Sequence, residues 1–170
     1  MSLVKTLPLL LSLSAALGSV SAWALPNDNE QPIRIQANEA QLDDKQGVAT
    51  YKGDVIITQG SMKITGNTVT ITRNAAGEID IVTSVGNLAY FEQLQKATDS
   101  KPVQAYAVTI QYHAPQNRIV LIDKAKVIND GNTTEGEKIV YDTVKQVANA
   151  GRANGANVTA PRPRIDMVIQ

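Results

Sequence analysis

The sequence predicts an all-β protein, and three observations carry that expectation. From Ile33 onward apolar residues recur with period two, not 3.6. Gly and Asn turn signals punctuate the chain at spacings of about ten residues, the pattern of a sandwich, barrel or β-roll. No segment carries a convincing amphipathic helical stripe.

The first two dozen residues read as a secretory leader rather than as part of the fold. Lys5 and the amino terminus give a thin positive region, Leu7 to Leu17 is apolar, and Ala22-Trp23-Ala24 is an A-x-A cleavage pattern. Cleavage after Ala24 leaves Leu25 first; cleavage after Ala22 is the alternative. An uncleaved anchor is the competing reading, but the apolar run is shorter than the ~20 residues a spanning helix needs. The expected organisation is a signal peptide over 1–24 and one β domain over 25–170, so the mature protein is expected to be exported and soluble.

Within that domain Ile33-Arg34-Ile35-Gln36-Ala37 alternates cleanly. Asp54 to Gln59 is rich in β-branched residues, and Met62-Lys63-Ile64-Thr65 follows a turn at Gly60-Ser61. Gly66-Asn67 reads as a turn into Thr68-Val69-Thr70-Ile71-Thr72, where Val and Ile face one way and Thr the other. Asn74 to Gly77 turns into Glu78 to Val82, and Gly86-Asn87 precedes Leu88 to Phe91. Gln95 to Pro102 has the composition of an exposed loop. Strands resume at Ala107 to Tyr112, Asn117 to Ile122, Ala125 to Ile128 and Lys138 to Tyr141, with a turn at Asp130-Gly131-Asn132.

A weak repeat runs through this pattern. Lys52-Gly53-Asp54-Val55-Ile56, then Gly60, Gly66 and Val69, returns as Lys124-Ala125-Lys126-Val127-Ile128, then Gly131, Gly136 and Ile139. Each unit is a strand, a glycine turn, a second strand and another turn, and such units bury an apolar face by stacking.

Composition narrows the function. Sixteen Lys and Arg balance sixteen Asp and Glu, so the basic excess of a nucleic-acid binder is missing. Cysteine is absent, which removes disulfides, thiolate metal sites and cysteine nucleophiles. Aromatic residues are 4% of the chain, so the apolar surface must come mainly from Val, Ile, Leu and Ala.

Catalysis finds no foothold. The single histidine, His113, sits at a strand end beside Ala114-Pro115 with no neighbour in sequence suited to orient it as a base. Asp43-Asp44 and the Glu135, Glu137 pair fall in turn-like sequence, too short in oxygen ligands for calcium and without the aromatic platform of a sugar hydrolase. Phosphate loops and the G-x-S-x-G elbow are missing. No catalytic residue, metal or cofactor is expected. What remains is the aliphatic face, which reads either as an ordinary core or as a surface for acyl chains, with open sheet edges that invite strand addition.

Four segments carry a resemblance. They are Gln31-Pro32-Ile33-Arg34-Ile35, Tyr51-Lys52-Gly53-Asp54-Val55-Ile56-Ile57-Thr58-Gln59-Gly60, Gly136-Glu137-Lys138-Ile139-Val140-Tyr141 and Arg162-Pro163-Arg164-Ile165. With the leader, they make the chain resemble the LptA, or OstA-like, family of periplasmic lipopolysaccharide-transport proteins, most of all its pseudomonad form. The resemblance covers essentially the whole mature chain. It implies a twisted antiparallel β-jellyroll, open at both ends, that shields lipopolysaccharide on its way to the outer membrane. It also implies end-to-end pairing with further copies and with the related jellyrolls of LptC and LptD. One departure is that the sequence stops at Gln170, without the polar tail that family members often carry.

The alternation and the resemblance together nominate an apolar lining of Ile33, Ile35, Val55, Ile57, Ile64, Val69, Ile71, Ile79, Ile81, Phe91, Ile110, Tyr112, Ile119, Leu121, Val127, Ile139 and Tyr141. The resemblance implies lipid contact at Ile33, Ile35, Phe91 and Tyr112; the others rest on alternation. Consecutive apolar residues leave both faces open at 88–91 and 118–122. The edge at Pro32, Ile33, Arg34, Ile35 and Gln36 is expected to receive an LptC-like partner. Ile165, Asp166, Met167, Val168 and Ile169 are expected to offer the opposite edge to an LptD-like one. Two rival readings are a structural adaptor that carries no lipid, and a polysaccharide-binding or processing protein, the weakest because no aromatic platform is evident.

Overall fold

The computed structural model describes residues 28–96, 99–151 and 165–169. The expected leader, its cleavage site and the Arg162-Pro163-Arg164 segment lie outside the described residues. Those described form one antiparallel sheet of ten strands with two short 3₁₀ turns, at Asp28–Glu30 and Ala114–Gln116. In chain order the strands are β1 (Arg34–Gln36), β2 (Glu39–Asp43), β3 (Val48–Gln59), β4 (Met62–Arg73), β5 (Ile79–Gln93), β6 (Val103–His113), β7 (Arg118–Asn129), β8 (Asn132–Asp142), β9 (Val147–Gly151) and β10 (Asp166–Val168). Neighbours pair in the order β1-β3-β4-β5-β6-β7-β8-β10, with β2 also on β3 and β9 also on β8. Among the described residues the sheet is not closed into a barrel.

Six of these strands are longer than the sequence suggests. Gly66-Asn67 and Gly86-Asn87, expected to be turns, lie inside β4 and β5. They belong to a row of register shifts at Lys52/Val55, Thr65/Thr68, Val85/Ala89, Tyr106/Thr109 and Ile122/Ala125 that crosses the sheet. A bulge bends its strand and raises its twist, and a glycine inside a strand often marks one. Five in line act as a fold. Gly66 also permits close approach, because a Cβ there would run into the Ser84 hydroxyl.

The row divides the sheet into two leaves. The first contains the turn at Gly60-Ser61 and that at Asp130-Gly131; the second contains the turns near 74–78 and 143–146. Each edge strand is likewise split. β1 pairs with the first-leaf part of β3 and β2 with its second-leaf part, and β10 and β9 divide β8 in the same way.

The internal repeat survives with a corrected register. Ile57, Gly66 and Val69 correspond to Val127, Gly136 and Ile139, each 70 residues later, so the first strand slips by two from the sequence alignment. A slip of two keeps every side chain on its own face.

Candidate functional site

The interior is built from rows of directly opposed residues, which face the same side of a sheet. On the first leaf one row runs Ile35–Ile57–Ile64–Phe91–Ala105–Val127–Thr134–Met167, from β1 to β10 without a gap. On the second leaf two rows run from β2 to β9. One is Leu42–Ala49–Ile71–Val82–Tyr112–Ile119–Tyr141–Ala148, and the other is Ala40–Tyr51–Val69–Ser84–Ile110–Leu121–Ile139–Ala150. The apolar strip thus extends from one sheet edge to the other.

The leaves close on each other. Phe91 on the first and Tyr112 on the second have ring centroids 5.9 Å apart. Val55, Ile64, Val69, Phe91, Ile110, Ile119, Leu121 and Ile139 are wholly buried, so the middle of the interior is filled. Ser84 is the one buried polar side chain among the described residues, and its hydroxyl donates to the Thr65 carbonyl at 2.9 Å. Near the β1 edge the leaves leave a cleft of about 400 Å³ between Ile33, Ile57, Gln59 and Met62 on one side and Ile71, Ile79, Val82 and Tyr112 on the other. Ala114, Pro115 and Glu78 complete its rim.

Most of the expected lining falls in this interior. Val55, Ile57, Ile64, Val69, Ile71, Phe91, Ile110, Tyr112, Ile119, Leu121, Val127, Ile139 and Tyr141 are buried in one core. Ile35 and Ile79 pack against it half-buried, and Ile33 is at the cleft, 38% exposed. Ile81 is corrected. It pairs with Thr72 and His113 on the outer face, while Val82 takes the inward place beside Ile71 and Tyr112. The cause is a register shift between Thr72 and Arg73: Asp80 is the extra residue, so Ile79 and Ile81 do not share a face.

The two ambiguous stretches resolve as well. Ala89 and Phe91 point inward and Leu88 is exposed; Ile119 and Leu121 point inward, whereas Val120 is buried outside the core cluster. Sequence reading missed Met62, Val82, Ser84, Ala89, Val103, Ala105, Ala107 and Ala125. For Ala105 and Ala107 the signal was present as alternation with Gln104 and Tyr106.

Further polar groups gather toward the ends of the interior. The Asp28 carboxylate accepts from the Ser61 backbone N–H (2.7 Å), the Ser61 hydroxyl (2.7 Å) and the Gln93 amide (2.8 Å). Gly60 must be glycine here, since a Cβ would collide with that carboxylate. Burial raises the Tyr112 hydroxyl pKa, and the Asp28 charge adds to the effect. Near the other end Tyr141 accepts from Gln95 and from Asn129 (3.4 Å); burial raises its pKa although the Gln95 bond opposes this.

The two segments named as edges in the sequence form short strands. Arg34, Ile35 and Gln36 form β1, with Pro32 and Ile33 preceding it. Asp166, Met167 and Val168 form β10, flanked by the exposed Ile165 and Ile169. Leu42 on β2, Val147 on β9 and Val144 between β8 and β9 are further exposed apolar side chains. No helix among the described residues is long and apolar enough to cross a membrane.

An unclosed, folded antiparallel sheet whose apolar inner face runs from edge to edge defines an open-ended β-jellyroll. The chain belongs to the LptA/(LptD N-terminal domain) LPS transport protein family, whose model matches residues 34–147. It is 64% identical to the lipopolysaccharide export system protein LptH of Pseudomonas aeruginosa, over 100% of this chain and 97% of that one. It is 32% identical to the lipopolysaccharide export system protein LptA of Escherichia coli K12, over 91% of this chain and 83% of that one. The crystal structure of LptH, described as the LptA-homologous periplasmic component of the lipopolysaccharide transport device of Pseudomonas aeruginosa, superposes with a TM-score of 0.78. There the identity is 63%, covering 85% of this chain and 99% of that one. These relatives are transport proteins, not enzymes.

Proposed function

We propose that this protein carries lipopolysaccharide through the periplasm toward the outer membrane, holding the acyl chains between its two leaves. The observation that carries the reading is the apolar strip that reaches both sheet edges, since an ordinary core has no need to end at an open edge. Acyl chains exposed to water cost about 0.8 kcal/mol per CH₂. When the leaves part, lipid methylenes replace the aliphatic contacts that they lose, and one apolar environment exchanges for another. No directional bond fixes the lipid, so it can slide. The chain supplies the path, and the work comes from elsewhere.

The remaining parts follow from the edges. Among the described residues β1 and β10 end the sheet path, so β1 is offered to an LptC-like jellyroll and β10 to an LptD-like jellyroll or a second copy joined head to tail. A structural adaptor without lipid is disfavoured by the named activity of the relatives.

The test is whether the purified full chain carries lipopolysaccharide, and whether Ile35→Asp lowers the amount bound. Ile35 is half-buried at the edge of the strip, so a charge there should block lipid entry and leave the fold largely intact. Equal lipopolysaccharide on the variant and the parent, or none on the parent, contradicts the proposal.

A further inference from the structure

Two of the chain's five tyrosines do not belong to the interior. Tyr90 and Tyr106 are opposed across β5 and β6 on the outer face of the first leaf, ring centroids 4.9 Å apart and tilted by 46°. The same outer row continues to Lys126 and Glu135, which form an ion pair at 2.8 Å. In the next row Glu92 opposes Gln104. The Tyr90 hydroxyl donates to Glu92 at 2.5 Å and accepts from the Gln104 amide at 3.0 Å. Burial and the Glu92 carboxylate both raise its pKa, which keeps it a neutral donor. Beside the pair a groove of about 590 Å³ is lined by Tyr106, Leu88, Lys126 and Glu135 and reaches Asp166 on the edge strand β10.

A cross-strand aromatic pair can serve the sheet alone. That role does not account for the carboxylates, amide and ammonium gathered round the rings, nor for a groove opening at the sheet edge. Sugars present an apolar C–H face and a rim of hydroxyls. Aromatic rings with a polar tip match the first, and the Lys126 ammonium with the Glu135 and Asp166 carboxylates along the groove matches the second. The platform is invisible in sequence because β5 and β6 bring together residues sixteen positions apart.

We infer that the outer face of the first leaf binds carbohydrate, and specifically the saccharide of the lipid that the interior shields. The inference rests on the function proposed above. The groove reaches the edge strand where the interior also ends, so a sugar chain emerging there can turn onto the outer face while its acyl chains stay between the leaves. The lipid then has one apolar path and one polar path, separated by a single sheet.

Binding of the full chain to three probes tests this: lipopolysaccharide bearing its core saccharide, lipid A alone, and core oligosaccharide freed of lipid. The parent should hold the core-bearing form more tightly than lipid A. Tyr106→Ala should weaken that form about tenfold and leave lipid A unchanged. Gln104→Ala, a polar change on the same face, should act in the same direction and serves if Tyr106→Ala does not fold. Lipid A and core-bearing lipid bound alike by parent and variants would overturn the inference and leave the proposed function standing. Oligosaccharide bound without any lipid would support the outer site and sink the proposed function, whereas binding of no probe would overturn both.

Discussion

The Phe91 and Tyr112 rings touch at 5.9 Å between centroids, yet they are far out of register in the sheet. The β6 partner of Phe91 is Ala105, seven residues before Tyr112. In a flat sheet those seven residues would set the two rings about 23 Å apart. Their contact therefore measures the fold along the row of bulges: the leaves meet, and the apolar strip is enclosed between them.

Removing that contact should loosen the closure. Phe91 is wholly buried, and Phe91→Ala leaves a cavity whose expected cost is about 3–5 kcal/mol of unfolding free energy. Phe91→Leu should cost clearly less. Urea unfolding followed by circular dichroism gives both values. A loss below about 1 kcal/mol for the alanine variant would show that the leaves are not held by this ring.

Asp28 ties the N-terminal segment to the β3–β4 turn and to the end of β5 through three accepted hydrogen bonds. Asp28→Ala leaves the Ser61 N–H without that acceptor, at an expected cost of about 1–3 kcal/mol. Amide exchange at Ser61 should quicken, while exchange at Ile139, in the core, should change only as far as global stability does. Unchanged protection at Ser61 would count against the node.

His113 should make the stability depend on pH, with a sign set by its lowered pKa. Burial lowers its pKa below the ordinary 6.5 and Arg118 lowers it further, although Asp80 pulls the other way. The unfolded chain therefore takes up this proton first as pH falls. Stability should be unaffected by His113 above its unfolded value and decline as pH drops below 6.5 toward the folded value. The melting temperature of the parent should fall more than that of His113→Gln between pH 7.5 and pH 5. Parallel curves would contradict the direction of the shift.

Much of this molecule was legible in advance because β alternation is a local signal. Val69 and Ile71 against Thr68, Thr70 and Thr72 assign the faces of their segment without any knowledge of the fold. Bulges are where the reading fails, since an extra residue can reverse the phase beyond it. Asp80 put Ile81 outside and Val82 inside, and nothing in Glu78 to Val82 announces it. Glycines 66 and 86 were recognised as punctuation, but a turn and an in-strand bulge share that signature; the distinction depends on the partner strand. The Tyr90–Tyr106 platform was hidden for another reason: it is a product of pairing, not of spacing.

The central claim is that lipid travels along the inner face and not the outer one. Photo-crosslinking in cells, with the probe placed in turn at Ile35, Tyr112, Arg34 and Gln111, tests it most directly. Tyr112 lies in the interior and Ile35 packs against it, whereas Arg34 is exposed and Gln111 pairs with Thr83 and Val120 on the outer face. Lipopolysaccharide adducts at Ile35 and Tyr112 and none at Arg34 and Gln111 is the predicted result. Adducts at all four positions alike, or at none, would contradict it.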